Sequence, residues 1–198
     1  FSTPVELLQF VAKIRALSGG KPVGFKLCLG KKYEFLALCK AMLETDILPD
    51  FITIDGSEGG TGAAPIELTN SVGTPLRDAL VYVNNALIGT GLRPHLKIIV
   101  AGKIISAFHM IKALALGADT VNSARGMMFA LGCIQARVCD TGNCPTGITT
   151  QDPARNKGLV VENKAERVAR YHRKMLENMI DLLAAAGLSS FDELRPHH

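Results

Sequence analysis

The sequence predicts an α/β fold of the parallel (β/α)-barrel, or TIM-barrel, type. Three observations predict it. Short β-rich runs alternate with segments of helical period, as βαβαβαβα. Glycine-rich turns follow the strands, where such barrels carry their active sites. About four β/α units are present, whereas a complete barrel has eight, usually in about 250 residues. The 198-residue chain, which opens on Phe1, is therefore expected to be part of a longer one.

The elements follow in order. Thr3 is suited to cap a helix, Pro4 to its first position, and Glu6 to complete a capping box. Leu7, Leu8, Val11, Ile14 and Leu17 recur at helical spacing, and Gly19-Gly20 ends the run. Val23 to Leu29 reads as a buried strand, and Tyr33 to Thr45 as the next helix. Phe51 to Ile54 is a second strand; after a long glycine-rich loop, Thr74-Pro75 opens a helix reaching Gly89. Lys97–Ala101 is a third strand, followed by a helix over Ser106–Leu116 that Gly117 closes. Asp119–Asn122 is a short fourth strand, followed by a helix around Met127–Leu131. A long helix is expected from Asn163, as cap, to Ala186, with Leu176, Ile180 and Leu183 on one face. Ser190 to Leu194 reads as a further turn. The expected organisation is residues 1–132 as barrel, 133–150 as a cysteine loop and 151–198 as a helical extension of the same domain.

Composition narrows the function classes. An apolar fraction of 47% and a charged fraction of 20% are those of a soluble globular protein. No apolar run is long enough to cross a bilayer and none reads as a signal peptide, so a cytoplasmic protein is expected. The net charge is only +4, and the denser basic stretch from Lys164 to Lys174 is interleaved with Glu162, Glu166 and Glu177. There is no Trp and no aromatic run suited to stacking on bases, so nucleic acid is not an expected partner.

Four places are equipped for chemistry. Asp55-Gly56-Ser57-Glu58-Gly59-Gly60-Thr61-Gly62 follows a strand directly, and its glycines allow the backbone close to a flat ligand. Lys26 stands inside an apolar strand and needs an anionic or polar partner if buried. Gly102 and Lys103 end one strand, and Arg125 and Gly126 lie just past the next. That pairing suits a phosphate, with backbone amides and two basic side chains donating. Cys133, Cys139 and Cys144 fall within twelve residues of a loop containing Gly142, Asn143 and Pro145. A structural zinc wants four ligands, and this loop has no His. A three-iron cluster fits three thiolates; a fourth thiolate would have to come from Cys28 or Cys39, which read as buried small hydrophobes.

These features, in this order, resemble the synthase domain of glutamate synthase and the stand-alone glutamate-synthase-like proteins. The most specific pieces are Gly59-Gly60-Thr61-Gly62-Ala63 and the run from Ala130-Leu131-Gly132-Cys133 to Cys144-Pro145-Thr146-Gly147, with Thr150-Gln151 after it. The resemblance runs over nearly the whole chain and implies the C-terminal half of an FMN-binding barrel. It implies Lys26 near the flavin ring and substrate, and Gly59, Gly60, Thr61 and Gly62 beside the ring. Gly102, Lys103, Arg125 and Gly126 would hold the FMN phosphate, and Cys133, Cys139 and Cys144 a 3Fe-4S cluster. Glu58 would be a proton or substrate contact.

The implied reaction is reductive amination of 2-oxoglutarate, through 2-iminoglutarate, to glutamate by reduced FMN fed from the cluster. The implied partners are the N-terminal half of the barrel, glutaminase and electron-donor subunits, and a second copy of the chain. Without the other half of the barrel, this stretch would be inactive. Family members often carry Asp-Gly-Gly where this chain has Ala101-Gly102-Lys103, and more glycine before Arg125, which points to the stand-alone branch. Two other readings share these motifs: an FMN amine-transfer enzyme of the N-methylglutamate synthase kind, and a non-catalytic interaction domain that keeps the fold.

Overall fold

A computed structural model describes residues 1–56, 68 and 71–198. Four strands, β1 (Gly24–Leu27), β2 (Phe51–Asp55), β3 (Lys97–Ala101) and β4 (Thr120–Asn122), form one parallel sheet in the order β1-β2-β3-β4. Helix α1 (Pro4–Leu17) precedes β1, α2 (Lys32–Thr45), α3 (Leu76–Gly89) and α4 (Ala107–Ala115) lie between successive strands, and α5 (Arg125–Leu131) follows β4. A one-turn helix α6 (Pro153–Asn156) and the long α7 (Val161–Ala185) follow. Sequential strands are neighbours, as short crossovers in a (β/α) array require.

The register sorts the strand side chains onto two faces. Phe25 pairs with Ile52 and Leu27 with Ile54; Ile52 pairs with Ile98 and Ile54 with Val100. All of these belong to the main core, where they meet Leu8 of α1, Phe35 and Met42 of α2, and Leu80, Val83 and Leu87 of α3. The alternate residues, Lys26, Thr53, Asp55 and Ala101, therefore lie on the opposite face, because successive strand side chains point to opposite sides. In a barrel that face is the interior, and its carboxyl-end edge is the functional one.

The opposite edge of the sheet is held by two equivalent devices. Asp50, just before β2, accepts from the Val23 N–H at 2.7 Å and from Arg15 Nη2 at 2.7 Å. Asp119, just before β4, accepts from the Ile98 N–H at 2.7 Å and from Arg93 Nη2 at 2.8 Å. Each carboxylate bridges neighbouring strand starts, so both serve stability at the bottom of the sheet.

Helix boundaries follow local chemistry with a few departures. Thr3 Oγ1 accepts from the Glu6 N–H, as expected, but Glu6 reaches back to the Ser2 N–H instead of that of Thr3. The long helix begins at Val161, with Val160 at its N-cap and no side-chain cap, so Asn163 lies inside it. Its buried stripe is Met175, Met179 and Leu183, while Leu176 and Ile180 are exposed. The expected face was thus out by one residue at two of its three positions. Methionine at those positions packs against Ile104, Ala107 and Met110 in a second small core.

Candidate active site at the carboxyl edge of the sheet

Parallel pairing brings the carboxyl ends of all four strands to one edge. Lys26, the third residue of β1, pairs across the sheet with Thr53, two residues before Asp55 ends β2. The Lys26 Nζ lies 2.9 Å from Asp55 Oδ2, with the Lys26 side chain 62% exposed and that of Asp55 20% exposed. The sequence called for an anionic partner in case of burial. The partner exists, but the ammonium is open to solvent on the helix-free face. Asp55 reads from sequence only as the start of a loop; the signal for its role is its place at a strand end, two residues beyond the one opposite Lys26.

Gly102 joins this corner to β3. Its φ is +138°, and a Cβ built there would lie 3.3 Å from the Gly56 amide nitrogen. Gly56 in turn donates its N–H to the Ala101 carbonyl at 2.9 Å. The glycine therefore permits both a backbone conformation that L side chains rarely adopt and a close approach of two βα turns. Lys103 follows with φ +48° and its side chain exposed.

The turns after β3 and β4 are tied by side chains. Ser123 Oγ donates to the Ile104 carbonyl at 2.6 Å, and Tyr171 of α7 donates its hydroxyl to the Ile105 carbonyl at 2.8 Å. Burial raises the Tyr171 phenol above its ordinary pKa, although its hydrogen bond with Ser123 opposes this. A Cβ on Gly126 would meet the Tyr171 hydroxyl at 2.5 Å and Ser123 Oγ at 2.8 Å. Gly126 thus serves the docking of α7 as well as the turn, a role invisible in sequence because Tyr171 is distant in the chain. Ala124 stands at the N-cap of α5 and offers no side-chain acceptor to the first helical amides.

Glu58, Gly59, Gly60, Thr61 and Gly62 lie outside the described residues. Lys26, Gly102, Lys103, Arg125 and Gly126 all occur at or just past strand ends on the same edge. Basic residues at or just past the ends of β1, β3 and β4 thus share one edge with the glycines of the two βα turns. Cys28, expected to be buried, is exposed: it continues the alternation Gly24, Lys26, Cys28 onto the helix-free face. Burial of its thiol and the nearby Asp55 charge raise its pKa. Cys39 is buried, as expected.

The cysteine loop leaves α5 through Gly132, at φ +109°, and turns through Gln135 and Arg137, both at φ +58°. Cys133 is half-buried, Cys139 exposed and Cys144 buried. The Gln135 N–H donates to Cys133 Sγ at 3.4 Å. Cys144 Sγ lies 3.3 Å from Thr146 Oγ1. Hydrogen bonds from the Thr146 side chain and the Thr149 backbone lower the Cys144 pKa to about 6, against the opposing effect of burial. That is the setting of a thiolate ligand or nucleophile. Among the described residues, however, no three His, Cys, Asp or Glu side chains gather closely enough to hold a metal ion. Among the described residues, no helix is long and apolar enough to cross a membrane.

The family profile described as a conserved region in glutamate synthase matches residues 1–189. The glutamate synthase large subunit-like protein YerD of Bacillus subtilis is 50% identical over 190 residues, covering 96% of this chain and 36% of YerD. The archaeal glutamate synthase [NADPH] of Methanocaldococcus jannaschii is 37% identical over 191 residues, covering 96% of this chain and 37% of that protein. The chain thus spans little more than a third of the length of these relatives. Among solved structures, the recombinant flavin-binding domain of baker's yeast flavocytochrome b2 matches with a TM-score of 0.57 at 15% identity. That match covers 94% of this chain and 37% of the other. At that identity the likeness shows the fold, part of a TIM barrel.

Proposed function

The chain belongs to the glutamate synthase family, and from that premise we propose that it forms the C-terminal half of an FMN-dependent active site that makes glutamate from 2-oxoglutarate. The observation that carries this reading is the Lys26–Asp55 pair on the helix-free face, at the carboxyl ends of adjacent strands. When bound, FMN would supply the hydride that reduces 2-iminoglutarate. Lys26 offers a positive charge to an anionic substrate or to the anionic reduced ring, and Asp55 holds its ammonium in place. Gly102, Lys103, Arg125 and Gly126 would hold the phosphate. Gly59, Gly60, Thr61 and Gly62 would flank the ring, with Glu58 as a proton or substrate contact.

The proposal extends to the three cysteines as ligands of a 3Fe-4S cluster. Such a cluster takes one thiolate per iron, so the sulfurs need not meet at a single ion. The depressed Cys144 thiol supports this, and the exposed Cys139 would have to turn inward. In the proposed domain plan, residues 1–132 carry the barrel, 133–150 the cysteine loop, and 151–198 the helical extension. The rest of the barrel, a glutaminase and an electron donor would be the partners.

The test is the visible spectrum of the intact protein, purified without oxygen, with iron and sulfide analysis. Flavin bands and about three irons per chain, followed by glutamate formation from 2-oxoglutarate and a nitrogen donor, are expected. Flavin without iron that anaerobic reconstitution also fails to introduce would sink the cluster and leave the flavin site standing. Absence of both would favour a non-catalytic interaction domain.

A further inference from the structure

A cavity of about 280 Å³ opens between α3 and α4, on the helix side of the sheet. Its apolar wall includes Leu76 and Leu80 of α3 and Leu116 beyond α4. Its polar lining consists of Arg77, Lys103, His109 and Lys112, with no acidic residue among the described ones. These groups are poorly compensated. Among the described residues the carboxylate nearest Arg77 is that of Asp78, at 3.9 Å, with both side chains mostly exposed. Lys112 lies 5.9 Å from the Phe108 ring centroid, and among the described residues neither it nor Lys103 has a carboxylate partner. His109 accepts from the Ile105 N–H through Nδ1 at 3.4 Å.

Like charges gathered around an apolar hollow repel one another and leave hydrocarbon open to water. A ligand with a compact apolar body and one phosphate or carboxylate would relieve both. The volume is near the lower end for small-molecule sites, about 300 Å³. We propose that this cavity is a binding site for a small organic anion, separate from the face that carries Lys26 and in contact with it only through the Gly102-Lys103 turn. Lys103 is shared with the proposed flavin phosphate site, but the rest of the charged lining, Arg77, His109 and Lys112, comes from α3 and α4.

The test is calorimetric titration of the flavin-loaded intact protein with phenyl phosphate, and separately with inorganic phosphate. Phenyl phosphate is expected to bind with unit stoichiometry and more tightly than inorganic phosphate, since only it fills the apolar wall. Arg77→Glu and Lys112→Glu should each weaken it about tenfold or more, with flavin content and melting temperature kept. Absence of binding, or binding indifferent to both substitutions, would overturn the site. Release of flavin in step with phenyl phosphate binding would also overturn it, by making the cavity part of the flavin phosphate site.

Discussion

Ser123 Oγ donates a 2.6 Å hydrogen bond to the carbonyl oxygen of Ile104, tying the turn after β4 to the turn after β3. Both turns carry residues proposed to hold the cofactor phosphate. Ser123→Ala is expected to cost about 1 kcal/mol of stability, the net worth of one hydrogen bond. It should also weaken flavin retention, because the two turns would no longer be held in register. Flavin content after dialysis, read beside thermal melting, checks this. Unchanged flavin retention would show that the turns are positioned without this bond.

Gly102 combines φ +138° with a close approach to Gly56. Gly102→Ala should destabilise the protein by roughly 1–3 kcal/mol, the usual range for a side chain forced into such a backbone state. Gly89→Ala is the control, since it lies in α3 with open space where its Cβ would go. That substitution should be neutral or slightly stabilising. Chemical denaturation of both variants separates backbone strain from a general intolerance of alanine.

Lys26 and Asp55 form an ion pair on the face that a complete barrel turns inward. Lys26→Met should lower glutamate formation at least about tenfold, as expected for loss of a charged contact. Asp55→Asn should fall between wild type and Lys26→Met. A Lys26→Met enzyme of full activity would remove Lys26 from the proposed site.

Acid should loosen the lower edge of the sheet. Burial tends to raise the Asp50 pKa, but the Val23 N–H and the Arg15 side chain and charge outweigh it and hold the carboxyl below its ordinary value. A carboxyl depressed in the folded state stabilises fully above its unfolded pKa, about 3.9, and that contribution is lost as pH falls through the lower folded value. Stability curves of wild type and Asp50→Asn should therefore converge below about pH 4, the wild type being more stable at neutral pH. Parallel curves over the whole acid range would contradict the role given to Asp50.

Local and periodic features were legible in the sequence. The alternation of strand and helix, the Thr3 cap, the glycine stops and the positions of Lys26, Gly102, Lys103, Arg125 and Gly126 at strand ends all follow from short-range patterns. The family resemblance rested on the spacing of glycines and cysteines, which is also written along the chain. What stayed hidden depends on residues far apart in sequence. Tyr171 filling the space left by Gly126, Asp50 bridging to Val23, and Asp119 to Ile98 arise only when strands pair and α7 docks. The exposure of Cys28 and of Leu176 likewise depends on which face meets the core, a choice that register and helix packing make together. Periodicity tells that a face exists; tertiary packing decides which residues occupy it, because burial is a property of the partner as well as of the residue.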